Sequence, residues 1–376
     1  MQVLQAGSAM DISEGSGVLS WNTPFYLTMP QKGMMKYRGI NYDTGNNYRA
    51  GTSSRPLFDP VLIKKEIGII RSELHCDAIR ISGCDIDRLV TASRFAREFG
   101  LTVFFSPQNI NASVEETERF ILESAGAAEL LRAEFGEVIF VAGCELSFFS
   151  RGFVGGDTTD ARLGRVFSPV SIILNAAGIP RRYNWRLNEF FRKIMPGIRE
   201  RFHGEVTYAS GTWEHVDWDL FDLVGIDHYR SAWNRATYRD ELKRFFRSDK
   251  PVVVLEFGCC CYRGADEKGG AGWMIVDRER ERPSLKGDFV RDESVQAGYL
   301  EELLHIFTEE HVAGAFVFTF VQPAYVHRAD PRYDIDMASY GIVAMLEEGS
   351  DRPYRAMPWI PKKAFSTIAD LYSRPE

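Results

Sequence analysis

The chain carries no basic block, and its 45 lysines and arginines are outnumbered by 52 acidic residues, for a net charge of −7. That balance argues against nucleic acid or an anionic membrane as a partner. No run of about 18 apolar residues occurs, so no transmembrane helix is expected. The segment Met1–Met10 has neither a basic start nor a sustained apolar stretch, and no secretory signal is expected from it. Cysteine is scarce: Cys76, Cys84, Cys144 and the consecutive Cys259, Cys260 and Cys261 are all there is. So few cysteines make no secreted disulfide framework, and a reduced, cytoplasmic setting is the expectation. The triplet also lacks the paired C-x-x-C spacing of zinc sites, so no metal and no cofactor are expected. Internal repeats and low-complexity tracts are missing. The Gly-rich stretch Arg263–Trp273 has no Gly-Lys-Ser/Thr and reads as a mobile lid or turn rather than a phosphate cradle.

What is present is apolar material in a regular rhythm. The 376 residues are 45% hydrophobic and 13% aromatic, enough for one large core. After a Gly/Ser-rich lead, residues 1–34, short apolar runs alternate with longer helical patterns. Strands are predicted at Met35–Tyr42, Ala78–Ser82, Leu101–Ser106, Glu137–Cys144, Val206–Ser210, Leu223–His228, Val252–Leu255 and Gly314–Phe320. Helices are predicted at Pro60–Ser72, Ile86–Phe99, Val114–Phe135, Tyr183–Phe202, Tyr238–Arg247, Glu293–Glu309 and Lys362–Ser373. Asp59 reads as the cap of the first, with Pro60 at its first helical position. Such alternation predicts an α/β fold, a single-domain (β/α)₈ TIM barrel over residues 35–376 with a lid-like insertion at about 259–291.

In a β/α barrel the strands' C-terminal ends form the face on which active sites are built. Polar residues collect there: Asn41 and Asp43 after the first strand, Arg80 on the second, Glu145 after the fourth. His228 and Tyr229 follow the sixth, Glu256 the seventh, and Gln322 the eighth. Two glutamates delivered by different strands are the minimum equipment for carboxylate chemistry at a glycosidic bond.

This set resembles the large superfamily of retaining glycoside hydrolases on (β/α)₈ barrels. Leu-Glu-Phe-Gly at 255–258 looks like that family's nucleophile motif, and Gly143-Cys144-Glu145-Leu146 like its acid/base motif. The resemblance implies Glu256 as nucleophile and Glu145 as acid/base. It implies Arg80 beside the nucleophile, Tyr229 as the strand-six tyrosine that hydrogen-bonds it, and Val317–Phe320 at the place of an aromatic platform. A narrower likeness, at Cys260–Ala265 and Asp334–Gly341, is to actinobacterial proteins labelled as abortive phage infection proteins.

One departure matters. The family places asparagine before its acid/base glutamate, to hydrogen-bond the sugar 2-hydroxyl, and here that residue is Cys144, a weak donor and poor acceptor. Either Asn109 after the third strand takes over, or the substrate lacks that hydroxyl, or the reaction is not ordinary glycoside hydrolysis. Strand alternation allows only one of His228 and Tyr229 to point inward; Tyr229 is assigned to the nucleophile and His228 to substrate. Trp213, with Trp218, Trp233 and Trp273, offers faces for sugar rings, although tryptophan is also simply large buried surface. The cysteine triplet admits thiol chemistry, with Arg263 as the nearby activating charge, or small buried filling. Asp334 and Asp336 read as loop-ordering rather than as a cation site. The expected function is retaining hydrolysis of a carbohydrate or glycosylated small molecule. The alternatives are acid/base chemistry on a non-sugar metabolite with the same carboxylates, and a non-catalytic binding or phage-defence protein on a barrel scaffold.

Overall fold

The computed structural model describes residues 35–48, 52–177, 179, 181–247, 249–278, 282–350 and 354–374. The expected N-terminal lead, residues 1–34, lies outside the described residues.

The apolar runs become a closed barrel of eight parallel strands: β1 Tyr37–Asp43, β2 Ala78–Gly83, β3 Thr102–Pro107, β4 Val138–Cys144, β5 Val206–Gly211, β6 Val224–Asp227, β7 Val252–Phe257 and β8 Gly314–Val317. Sequential strands pair throughout, and β8 closes on β1 with Tyr37 opposite Gly314. Every residue of β4, β5 and β7 is buried, which is why β4 and Val252–Leu255 of β7 read as unbroken apolar runs. The barrel is a packed core. Phe104 meets Tyr37 and Phe316 inside it at centroid distances of 5.2 and 4.6 Å. Gly39 is required there, because a Cβ would sit 2.3 Å from the Phe316 ring.

The outer layer is set by helical periodicity and caps. In α1, Pro60–Ser72, Ile63, Ile67 and Ile70 are buried on one stripe and Asp59 accepts the Val61 N–H. Helices α2, Ile86–Glu98, and α3, Val114–Phe135, follow, the latter opened by a reciprocal Ser113–Glu116 capping box. The segment after β4, where no helix is predicted before Tyr183, holds three short helices: α4 Leu146–Phe149, α5 Thr159–Val166 and α6 Pro169–Ala176. Then come α7, Arg182–Arg201, α8, Tyr238–Lys243, α9, Glu293–Glu309, and α10, Lys363–Ser373.

Two predicted elements fall short by three residues or more. The helix expected through Arg247 changes to a 3₁₀ turn at Arg244. The eighth strand stops at Val317, because beyond it the chain bonds elsewhere: Thr319 Oγ1 donates to the Asn41 carbonyl and the Thr319 N–H to that of Tyr340. The Gly-rich insertion forms 3₁₀ turns at Ala265–Glu267 and Gly269–Ile275 and a small ribbon pairing Val276–Asp277 with Ser284–Leu285. Tyr340 pins it, accepting the Gly272 N–H and donating to the Gly269 carbonyl. Cys260, Tyr262, Met337 and Tyr340 are buried together beneath it.

Candidate active site

Glu145 is delivered by an abrupt turn at the end of β4. Gly143 has φ +99° and Glu145 itself φ +43°, in the left-handed region that a non-glycine residue enters at a cost on the order of 1–3 kcal/mol. The turn is held by the Glu145 N–H, which donates to Ala209 of β5, and by the Glu145 carbonyl, which accepts from Phe148 and Phe149 to start α4. Glu145 is 8% exposed. No protein donor meets its carboxyl among the described residues. Burial pushes it well above the usual glutamate range, and Asp227, Glu256 and Glu214 push it further.

Glu256, on β7, has donors on both oxygens. Arg80 Nη1 donates to Oε1 at 2.7 Å and the Tyr229 hydroxyl to Oε2 at 2.9 Å. Arg80, fully buried on β2, is in turn fixed through Nε to Ser106 Oγ at 3.1 Å and through Nη1 to Asn41 Oδ1 at 3.3 Å. Asn41 donates to the Leu255 carbonyl at 2.8 Å, one residue before Glu256. Asn41 therefore positions the arginine and the strand end.

Beneath the pair lies a third carboxyl that the sequence reading passed over. Asp227, the last residue of β6, is buried, accepts from the Cys144 thiol at 3.5 Å and stands 3.9 Å from Arg80 Nη1. Burial raises its pKa well above normal, with Glu256 adding to it. The Cys144 sulfur is also 3.7 Å from Glu256 Oε1, so Cys144 sits between two acids. The signal was available: Asp227 and Tyr229 are two apart, so the alternation that turns one inward turns both.

A second unanticipated acid backs the β4 end. Glu214, after β5, accepts the Ser147 N–H at 3.0 Å and the Tyr208 hydroxyl at 2.9 Å, while Tyr208 accepts the Leu146 N–H at 2.7 Å. Burial pushes Glu214 up to about 7. Trp213 joins this network, its Nε1 donating to Ser147 Oγ at 3.0 Å and its ring 5.3 Å from Phe148 and 4.9 Å from Phe167.

His228 does not take the substrate-facing position expected of it. It is fully buried, stacks on Tyr238 of α8 at 4.1 Å and 9°, and places Nε2 3.3 Å from the Tyr238 carbonyl. Opposite parity to Tyr229 sends it out through the barrel wall, and burial pushes its pKa down to about 4. Gln322 spends Oε1 on the Tyr340 N–H at 2.8 Å and so anchors the segment after β8. Asn109 is half-buried in the loop after β3, where its carbonyl closes a turn with Ala112. Tyr48, 41% exposed, lies tilted against Phe149 at 5.9 Å and is a further aromatic on the β1–α1 connection.

The thiol alternative finds no activated nucleophile. Cys259, Cys260 and Cys261 are all buried, burial raises all three pKa values, and Cys261 reaches about 11. Arg263 is exposed, and the cation near Cys261 is Lys362, 3.5 Å away. Two donor sets converge closely enough to hold a metal, and each has a cation beside it. Cys144, Glu145 and Asp227 bring ligand atoms within 4.8 Å of one another, but Arg80 occupies the positive position beside them. His327, Asp334 and Asp336 also converge, yet Arg291 donates to both aspartates at 3.2 and 2.9 Å and Lys362 to Asp336 at 2.9 Å. Asp334 accepts the Arg328 N–H at 3.2 Å, which ties its loop.

No protein-family model matches the sequence, and no curated protein does. Solved structures do match the fold. A GH113 β-1,4-mannanase in complex aligns over 91% of this chain and 100% of its own, with a TM-score of 0.57 at 15% identity. A second GH113 β-1,4-mannanase structure aligns over the same shares with a TM-score of 0.56 at 15% identity. Bacteroides uniformis β-glucuronidase 2, covalently bound to a cyclophellitol-6-carboxylate aziridine, aligns over 91% of this chain and 35% of its own, with a TM-score of 0.55 at 13% identity. At these identities what is shared is the barrel.

Proposed function

We propose that the chain is a glycoside hydrolase-type barrel enzyme that cleaves a carbohydrate or glycosylated small molecule by double displacement, with Glu256 as nucleophile and Glu145 as acid/base. The observation that carries this reading is the unequal setting of the two carboxyls. A carboxyl that burial keeps protonated, beside another held in place by two donors, suits an acid and a nucleophile. Glu145 is buried among acids, with no donor to its carboxyl among the described residues, which suits a proton donor. Glu256 is held by Arg80 and Tyr229, which suits an attacking carboxylate. The barrel shared with a β-1,4-mannanase and a β-glucuronidase supports a carbohydrate substrate.

The steps follow from those roles. Glu256 attacks the anomeric carbon as Glu145 passes its proton to the leaving oxygen, giving a glycosyl ester on Glu256. Glu145, now ionised, takes a proton from water, whose oxygen displaces Glu256 from the sugar. Arg80 and Tyr229 hold Glu256 in line, and Asn41 holds Arg80. Trp213 stands beside α4, where an aromatic face serves a sugar ring. Turnover of an activated aryl glycoside by the wild-type chain, abolished in Glu256→Gln, is the expected result across a panel of sugar configurations.

A second reading is favoured by one observation, the placement of Cys144 between Asp227 and Glu256 where the family has asparagine. Three carboxyls around a thiol would also serve proton transfer on a non-sugar metabolite. Turnover of such a metabolite that requires both glutamates but forms no covalent adduct would select it.

A further inference from the structure

The segment between β4 and α7 folds around a cavity of about 450 Å³ whose lining includes Arg165, Arg181, Arg182, Arg186 and Ser168. No carboxylate lines it, and none of the four arginines forms an ion pair among the described residues. Those with fixed partners spend single nitrogens on neutral acceptors. Arg181 Nη1 donates to Ser171 Oγ at 2.9 Å, and Arg186 Nη1 to the carbonyls of Gly152 and Phe153 at 3.2 Å each. Such contacts orient a guanidinium without neutralising it.

Small residues keep the space open. Gly155 lies under Arg165, whose Nη1 would be 2.2 Å from a Cβ there. Gly164 sits inside α5, where glycine is a poor helix former. A Cβ at Gly164 would meet nothing within 4 Å, so packing does not demand the glycine.

A second cavity, of about 480 Å³ between α8 and α9, makes the contrast. It too has four cations, Arg230, Arg235, Arg239 and Lys243, but each is paired: with Glu302, Asp266, Glu309 and Glu310 respectively. Positive charge in that cavity is structural. In the first it is left over.

We propose that the cavity between α5 and α7 binds a small molecule carrying two or more oxyanion groups, of the diphosphate or bisphosphate class. Guanidinium forks match phosphate oxygens bidentately. A cavity of this volume falls within the range of small-molecule sites. The inference is independent of the reaction at the barrel mouth, and its test reads binding without turnover.

The test is calorimetric titration of the full chain with inorganic pyrophosphate at fixed ionic strength. One saturable site per chain is expected, with orthophosphate at least about tenfold weaker, since it forgoes charge-assisted hydrogen bonds to one oxyanion group. Arg165→Ala with Arg182→Ala removes two exposed guanidiniums and should weaken pyrophosphate at least about tenfold, while Arg239→Ala at the paired cavity should change nothing. A melting temperature near wild type confirms that the double variant is folded; if it is not, the orthophosphate comparison on the wild-type chain decides. The proposal is overturned by the absence of a saturable site, by equal affinity for the two anions, or by undiminished binding in the folded double variant.

Discussion

At the end of β7, Glu256 has a donor on each oxygen, a buried guanidinium at 2.7 Å and a phenol at 2.9 Å. At the end of β4, Glu145 has no donor among the described residues and three acidic neighbours, with Asp227 and Glu214 themselves buried. The residue types are identical and the strands belong to one wall. What differs is which side chains the neighbouring strands send inward: β2 and β6 give Glu256 its arginine and tyrosine, whereas β5 and β6 surround Glu145 with carboxyls. Function on this face is therefore written in neighbours more than in the glutamates.

The comparison breaks most visibly by removing the glutamates separately. Glu256→Gln should lower kcat on activated aryl glycosides by about 10⁴-fold or more, as loss of a nucleophile does. Glu145→Gln should cost about 10²–10⁴-fold when the leaving group needs a proton, and far less when it does not. Steady-state kinetics over leaving groups of graded acidity reads the difference. Equal losses at both residues for every leaving group would erase the distinction.

Arg80→Met should be the most destabilising single change at the site. It leaves Glu256 and Asp227 without their cation, a loss of about 3–5 kcal/mol by urea unfolding near neutral pH. A loss below about 1 kcal/mol, the scale of an exposed ion pair, would mean that Arg80 does not hold the acids.

Glu214 sharpens the β4 side. Its folded pKa, about 7, lies above the ordinary glutamate value, so the native state binds its proton more tightly than the unfolded chain. Its contribution is therefore full below that ordinary value and fades as pH rises through about 7, by roughly 3 kcal/mol in all. Unfolding free energies for Glu214→Gln between pH 5 and 8 should lack that decline.

The smallest expected effect is at Asp227. Replacing it by asparagine removes an acid that pushes the Glu145 pKa up, so that pKa falls and the alkaline limb of the kcat/KM profile moves to lower pH. A limb that stays put would detach Asp227 from the acid.

The sequence carried the barrel well, because buried parallel strands and capped amphipathic helices have strong local signatures. The helices α1, α3 and α9 lie at their predicted limits, and Asp59 caps where expected. Arg80, Glu145, Tyr229 and Glu256 converge because strand ends were legible. Short helices of the β4–α7 segment were not, since four- and eight-residue elements take their stability from packing rather than from their own pattern. Glu214 was equally hidden. It follows its strand by three residues, and hydrogen bonds from Tyr208 and the Ser147 N–H tie it to the β4 end. His228 was misread because polarity at a strand end was given more weight than parity.

The most direct test of the central claim is peptide mapping after exposure to mechanism-based inactivators, cyclophellitol aziridines and 2-fluoro aryl glycosides of several sugar configurations. The account predicts one adduct per chain on the peptide carrying Glu256, absent in Glu256→Gln. An adduct on any other residue, or none in any configuration while glycosides are still turned over, would contradict it.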